Sequence, residues 1–289
     1  MNANLSLRLN AAIAFIEAHL ADPLTLAEIA GVAHVSPFHF ARLFRSCAGD
    51  SVMNYVRRRR LARAVDLLRH GAGLSVLDIA VDCGFGSGEA LAHAFRKQFG
   101  LAPITYRRNA GTLHLPIHRR LIMSDTELGA ALAPTFEDRP AFFAIGCAGE
   151  FAPLASTAIG KLWDTFNRRT AEVPNRVGNV AYGICCPPGE GQRDPEHFTY
   201  IAAVQTSSLD AIPDGMTGVS IAANRYAVFL HRGGLGPPLH ATMRYVFGTW
   251  LGESGLQACG PDLEEYAANF DPQTGSTDIR ICVPVKPND

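Results

Sequence analysis

The sequence predicts a multidomain chain: an all-α N-terminal domain with two helix-turn-helix units, then an α+β domain on an antiparallel sheet. Three observations carry this. A helix-turn-helix pattern is written twice in the N-terminal half. After Pro134 the helical periodicity gives way to short apolar runs bounded by Gly and Pro, in a strand-helix-strand-strand order that also occurs twice. Charge divides in the same way: residues 1–120 hold 15 Lys+Arg against 8 Asp+Glu, a net of +7, and the remainder holds 11 against 19, a net of −8. A basic half joined to an acidic half points to two different partners. With 289 residues, 47% of them hydrophobic, the chain is long enough to bury two cores.

The N-terminal elements follow in order. Leu9, Ile13, Ile16 and Leu20 recur at helical spacing, and Asp22-Pro23 ends the first helix. Thr25-Leu-Ala-Glu28 is a capping box that starts a second helix near Leu26, and Gly31 is expected to permit its turn. Ser36-Pro37 supplies an N-cap and a first-turn proline for a third helix over 38–46. Leu26 to Ala30 is echoed by Val76 to Ala80 at a spacing of 50, while Ser36, Phe40 and Phe44 are echoed by Ser87, Leu91 and Phe95 at 51. The extra residue falls in the turn, where insertions are tolerated. Ser75 is the second cap and Gly84 the second turn. Between the copies, Asn54, Leu61, Ala64, Val65 and Leu68 share one side of a spacer helix. Such a spacer would let both third helices reach major grooves one DNA turn, about 34 Å, apart.

Ile79-Ala-x-x-x-Gly84-Phe85-x-Ser87, Ala94-Phe-Arg-Lys97-x-Phe99-Gly100, Pro103 and Tyr106-Arg107 together resemble the AraC/XylS transcription regulators. The resemblance covers roughly residues 5–108 and implies sequence-specific binding of double-stranded DNA at two adjacent half-sites, with RNA polymerase as a further partner. On the first recognition helix Phe38, His39 and Arg42 are expected to point outward, with Phe40, Leu43 and Phe44 in the core. Arg42 either reads guanine bidentately, contacts phosphate or is a solvated charge. The second helix presents Glu89 and His93, a poor set of base readers, so it is expected to lean on His93, Arg96, Lys97 and DNA shape. The run Arg57 to Arg60 spreads around its helix at about 100° per residue. Arg57 and Arg58 are expected to pair with acids such as Asp78 and Asp82, and Arg59 and Arg63 to face solvent.

Residues 1–110 thus form the DNA-binding domain, 111–133 a linker with Pro116, and 134–289 the second domain. His114 and His118 have metal-like spacing, but a proline lies between them and no third ligand is evident, so no metal site is expected. Strand 141–151, helix 155–169 and hairpin 180–186/198–205 form one β-α-β-β unit. Strand 222–231, helix 238–252 and hairpin 263–267/279–285 form another, with a cleft where the two meet.

Pro213-x-Gly215-Met216, Tyr226-Ala-Val-Phe229, His231-x-Gly233, Trp250-Leu251, Ser254-Gly255, Leu263-Glu-x-Tyr266 and Val283-Pro-Val285 resemble the GyrI-like small-molecule-binding domain. Gly252 departs from it, standing where the family carries proline. The resemblance implies a pocket in which a glutamate among aromatic rings attracts apolar, cationic effectors. Glu264 is the matching position, and Trp163, Tyr182, Tyr200, Trp250 and Tyr266 are candidate walls, each alternatively a core residue. Adjacent Glu264 and Glu265 should point to opposite faces of their strand, and a structural ion pair is the other reading of Glu264. Two further readings stay open: a hydrolase of reactive compounds using Glu264 with His231, and a protein-interaction module without ligand. No cofactor and no enzymatic role are expected. Seven cysteines without a C-x-x-C indicate reduced thiols and a cytoplasmic location. Arg8, Asn10 and Glu17 within the first apolar pattern argue against a signal peptide, and no membrane partner is expected.

Overall fold

The computed structural model describes residues 3–71, 73–110, 112–123, 132–151, 156–187, 197–270 and 278–287. Parts of the expected linker (111 and 124–131), the first residue of helix 155–169 and the tip of the first hairpin (188–196) lie outside them. The helices of the N-terminal part are α1 (Ala3–Ala18), α2 (Leu26–Val32), α3 (Pro37–Ala48), α4 (Val52–His70), α5 (Val76–Asp82), α6 (Gly88–Phe99) and α7 (Pro103–Arg108). They do not form one body. A helical unit holds most of them, from Ser6 to Pro37 and from Ala48 onward, while the first turn of α1 up to Leu5 and Phe38–Cys47, the body of α3, belong with the C-terminal unit.

Local signals work as read in the helical unit. Thr25 Oγ1 accepts from the Glu28 amide while Glu28 Oε2 accepts from the Thr25 amide, and Ser75 and Asp78 repeat the box at α5. The first turn differs from expectation. Gly31 lies inside α2, and the left-handed residue is His34 (φ 52°), equivalent by repeat to Gly84 (φ 71°). Arg8 donates to the Ala33 and His34 carbonyls and holds that non-glycine turn. At Gly84 an added Cβ would stand 2.4 Å from the Leu20 carbonyl oxygen, so the position requires glycine on both conformation and space.

The spacer helix α4 buries Leu61, Ala64, Val65 and Leu68 against Ile79, Leu91 and Phe95 of the second unit. Its arginines are seats, with partners other than those expected. Arg58 pairs with Asp50, Arg59 makes two hydrogen bonds to Glu17, and Arg60 donates to the Leu20 and Asp22 carbonyls. Arg57 donates to Asn54 and is exposed, as is Arg63. Spacing gives the direction of each arginine but not which loop crosses in front of it, and Glu17 and Asp50 come from elements that the helical wheel does not show. Residues 112–123 carry no helix or strand, yet they are tied to the same unit by Asn10 with Met123 and by Arg69 with the Ala110 and Leu113 carbonyls.

In the C-terminal unit the described residues form a nine-stranded sheet, β1 (Thr135–Arg139), β2 (Phe142–Phe151), β3 (Arg176–Cys186), β4 (Phe198–Thr206), β5 (Thr217–Ile221), β6 (Asn224–His231), β7 (Leu256–Ala258), β8 (Asp262–Tyr266) and β9 (Ile279–Pro287). The path is β1-β6-β9-β8-β3-β4-β2-β5, all antiparallel, with β7 on β9. Exchanging the two repeats reverses this order, so the sheet has a pseudo-twofold seam at β3·β8. Each repeat lends its first strand to the other: β1 pairs with β6 and β5 with β2. The expected strands appear, and the sheet also holds β1, β5 and β7, of five, five and three residues, which the sequence pattern did not single out. α8 (Ser156–Arg169) follows β2, and α9 (Pro237–Arg244) follows β6 and continues as a π-helical turn (Tyr245–Trp250) into α10 (Leu251–Glu253). No helix among the described residues is long and apolar enough to cross a membrane.

Replacing Gly84 by Ala should cost about 1–3 kcal/mol and lower the midpoint of urea unfolding, while Gly31→Ala, inside a helix with open space at its Cβ, should not.

Candidate functional site

Three residues of β8, Asp262, Glu264 and Tyr266, share one face by strand alternation and lie opposite Cys185, Gly183 and Ala181 of β3. Large side chains on one strand thus meet small ones on the other along the seam. At Gly183 the close approach is strict: a Cβ there would lie 2.0 Å from the Tyr200 hydroxyl and 2.9 Å from Glu264 Oε2. Glycine gives Tyr200 its path to the glutamate.

Glu264 is 7% exposed, and its Oε2 accepts from Tyr200 Oη at 2.7 Å and Tyr266 Oη at 2.8 Å. Trp163 Nε1 donates to Tyr200 Oη at 3.1 Å, and its ring meets that of Tyr266 edge-on at 5.1 Å. Burial pushes the Glu264 carboxyl above its ordinary value, against the opposing pull of the two tyrosine hydroxyls and of Arg42. Burial and the neighbouring carboxylate push both tyrosines well up, so they remain protonated donors. A cleft of about 750 Å³ opens over these groups between α8 and α9, with Ile159, Trp163, Leu239, Met243 and Phe247 among its apolar walls. That is the size of a site for a drug-sized ligand.

Of the expected wall residues, Trp163, Tyr200 and Tyr266 line this cleft. Tyr182 does not. It is paired with Glu265, one residue out of phase, and packs against Phe142 on the other face of the sheet. Trp250 packs against Phe229 and Phe136, also away from the cleft lining. Glu265 points away from Glu264 and pairs with Arg139 and Arg280. His231 is buried, with its ring nitrogens against Thr242 Oγ1 and the Gly234 carbonyl, and is not among the residues around Glu264. Among the described residues no cluster of metal-ligating side chains is found.

The two recognition helices stand in different surroundings. On α6, Glu89, His93, Arg96 and Lys97 are exposed. On α3, Phe38 and His39, expected outward, are 7% and 4% exposed, and Arg42 projects into the Glu264 cleft. Arg42 Nη1 donates to Asp262 Oδ2 at 2.8 Å, and its guanidinium lies 4.9 to 5.6 Å from the ring centres of Phe38, Phe198 and Phe247. Sequence reasoning missed Asp262, Gly183, Phe198 and Phe247. Asp262 was within reach, two residues before Glu264 and therefore on its face.

A central acid among rings stands at the seam of duplicated β-α-β-β units, and comparison with known families identifies the architecture. The GyrI-like small molecule binding domain matches residues 132–286, and a helix-turn-helix domain matches residues 29–109. The chain belongs to the GyrI-like family and carries an AraC-type helix-turn-helix region ahead of it. Along most of its length it is similar to the transcriptional regulator Rob of Salmonella typhimurium, at 27% identity over 273 residues, 92% of each chain. The transcriptional regulator BrlR of Pseudomonas aeruginosa is 29% identical over 151 residues, 51% of this chain and 53% of that one. The regulatory protein SoxS of Escherichia coli is 34% identical over 95 residues, 33% of this chain and 88% of its own.

Because the folded-state pKa of Glu264 is raised, its contribution to stability is present below the ordinary carboxylate range and is lost as pH rises through the raised value. Wild-type stability relative to Glu264→Gln should therefore fall with rising pH and then level off, as read by urea unfolding between about pH 4 and about pH 8.

Proposed function

We propose that this DNA-binding transcriptional regulator senses an apolar organic cation in the cleft around Glu264. The observation that carries the reading is a buried carboxylate whose hydrogen-bond partners are tyrosine hydroxyls rather than a cation, in a cleft walled by aromatic and aliphatic side chains. Desolvation makes its negative charge costly, and an incoming cation offsets that cost while gaining ring-face attraction. Binding then draws a proton off Glu264. The groups that face it are Tyr200, Tyr266, Asp262, Cys185 and Arg42; burial keeps the hydroxyls and the Cys185 thiol protonated and raises the Glu264 carboxyl.

For DNA, the exposed Arg96 and Lys97 on α6 supply phosphate contacts, with Glu89 and His93 beside them, while Phe38, His39 and Arg42 on α3 are the base-reading set. Two adjacent half-sites and RNA polymerase complete the partners of this reading.

Tetraphenylphosphonium is a suitable probe of the cleft. It should raise the melting temperature of the intact protein, by more at higher pH, and Glu264→Gln should lose most of the increase; equal stabilisation of both proteins across a panel of cations would overturn the reading. On DNA, Arg96→Ala should weaken binding by a similar factor on every sequence, as read by gel shift on selected and random duplexes.

A further inference from the structure

The body of α3 belongs to the same compact unit as the effector cleft, and its outward face is buried there. Phe38 joins the core cluster containing Ile145, Phe166 and Phe198. The His39 ring stacks on Phe247 at 4.6 Å with 15° between planes, and its Nε2 lies 3.5 Å from Asp262 Oδ2. The Arg42 side chain is 12% exposed, with one donor on Asp262 and another toward Met243 Sδ at 3.7 Å. A carboxylate and three ring faces are the chemistry expected of a site for an organic cation, and here the cation is one of the chain's own side chains.

We propose that Arg42 is an internal ligand of the effector cleft: it holds the first recognition helix away from DNA, and an organic cation entering the cleft displaces it and releases the helix. Docked side chains cannot serve a major groove. A residue that reads a base edge must lay its donors on that edge, and the guanidinium of Arg42 is turned to Asp262 and Met243 and enclosed by Phe38, Phe198 and Phe247. The same cleft reaches both Arg42 and Glu264, and burial and charge link them: Arg42 is one of the groups that act on the Glu264 carboxyl. A second cation near Glu264 therefore meets the like charge of Arg42 in a weakly screening interior. Arg42 has an alternative partner in the guanines and phosphates of DNA, and the ligand has none. By linkage, the cation and the DNA then favour the same released state.

The inference rests on the cation reading of the cleft in its ligand arm only, so two arms separate them. In the first, without ligand, gel shifts of the intact protein on a duplex it has selected from random sequence compare wild type with Asp262→Asn, which removes the charge that anchors Arg42. Affinity should rise about 5- to 150-fold. Phe247→Leu, which thins the ring cage with an apolar side chain, should act in the same direction and covers the case in which Asp262→Asn unfolds. In the second, calorimetry with tetraphenylphosphonium compares wild type with Arg42→Ala, which should bind the cation more tightly because its competitor is gone. The proposal is overturned if neither Asp262→Asn nor Phe247→Leu strengthens DNA binding, or if Arg42→Ala weakens cation binding, which would make Arg42 a wall of the site. If the cation binds neither protein while the DNA arm succeeds, the cation reading and the release step fail together, and the internal docking stands.

Discussion

Two hydroxyls pointing at one buried oxygen organise this molecule. Tyr200 comes from β4 and Tyr266 from β8, and both converge on Glu264 at the line where the two repeats meet. For that to happen β3 must present no side chain at the register position facing Glu264, which Gly183 provides. Pseudo-twofold symmetry creates the seam, but the acid breaks it, since the equivalent strand of the other repeat places glycine there. A symmetric sheet thus acquires a polar centre on one side of its axis, and α8 and α9 lie to either side of a cleft above it.

Buried charge sets the electrostatics of this centre. A carboxylate removed from water is stabilised by hydrogen bonds only in part, and the pKa of Glu264 is accordingly raised. Asp262, two residues away on the same face, is the stronger anchor because Arg42 lies directly on it. The acids differ in their partners: one holds a guanidinium, the other two phenols. On the opposite face Glu265 has two arginines and Glu137 shares both, so that side is a closed ion-pair network. Adjacent residues of one strand therefore carry a hydroxyl-bound acid facing the cleft and an ion-paired acid with the sheet between them.

How much of this was legible depends on which physical rule applies. The starts of α2 and α5 were readable from their caps, because a capping box needs only four consecutive positions, and both Thr25-Glu28 and Ser75-Asp78 form it. Duplication revealed both pairs of units and hence the cleft. The opposition of Glu264 and Glu265 followed from strand alternation alone. Tyr182 and Tyr200 could not be separated in that way, because facing depends on cross-strand register, and Tyr182 falls beside Glu265. Trp250, put forward by the resemblance rather than by spacing, ends a π-helical turn and packs against Phe229 and Phe136, because a motif fixes a position and not the direction of its side chain. Arg42 shows a further limit. Spacing placed it on the face opposite Phe40 and Phe44, but an arginine facing water and one facing an acid in an aromatic cleft have the same periodicity.

The exchange of first strands has its own consequence. Since β1 is hydrogen-bonded into the second repeat and β5 into the first, each half of the sheet is completed by the other's polypeptide. The two repeats are clasped like linked hands, so neither can loosen without releasing a strand of its neighbour. Such a sheet has no weak half to melt first, and whatever grips its centre line steadies both repeats at once.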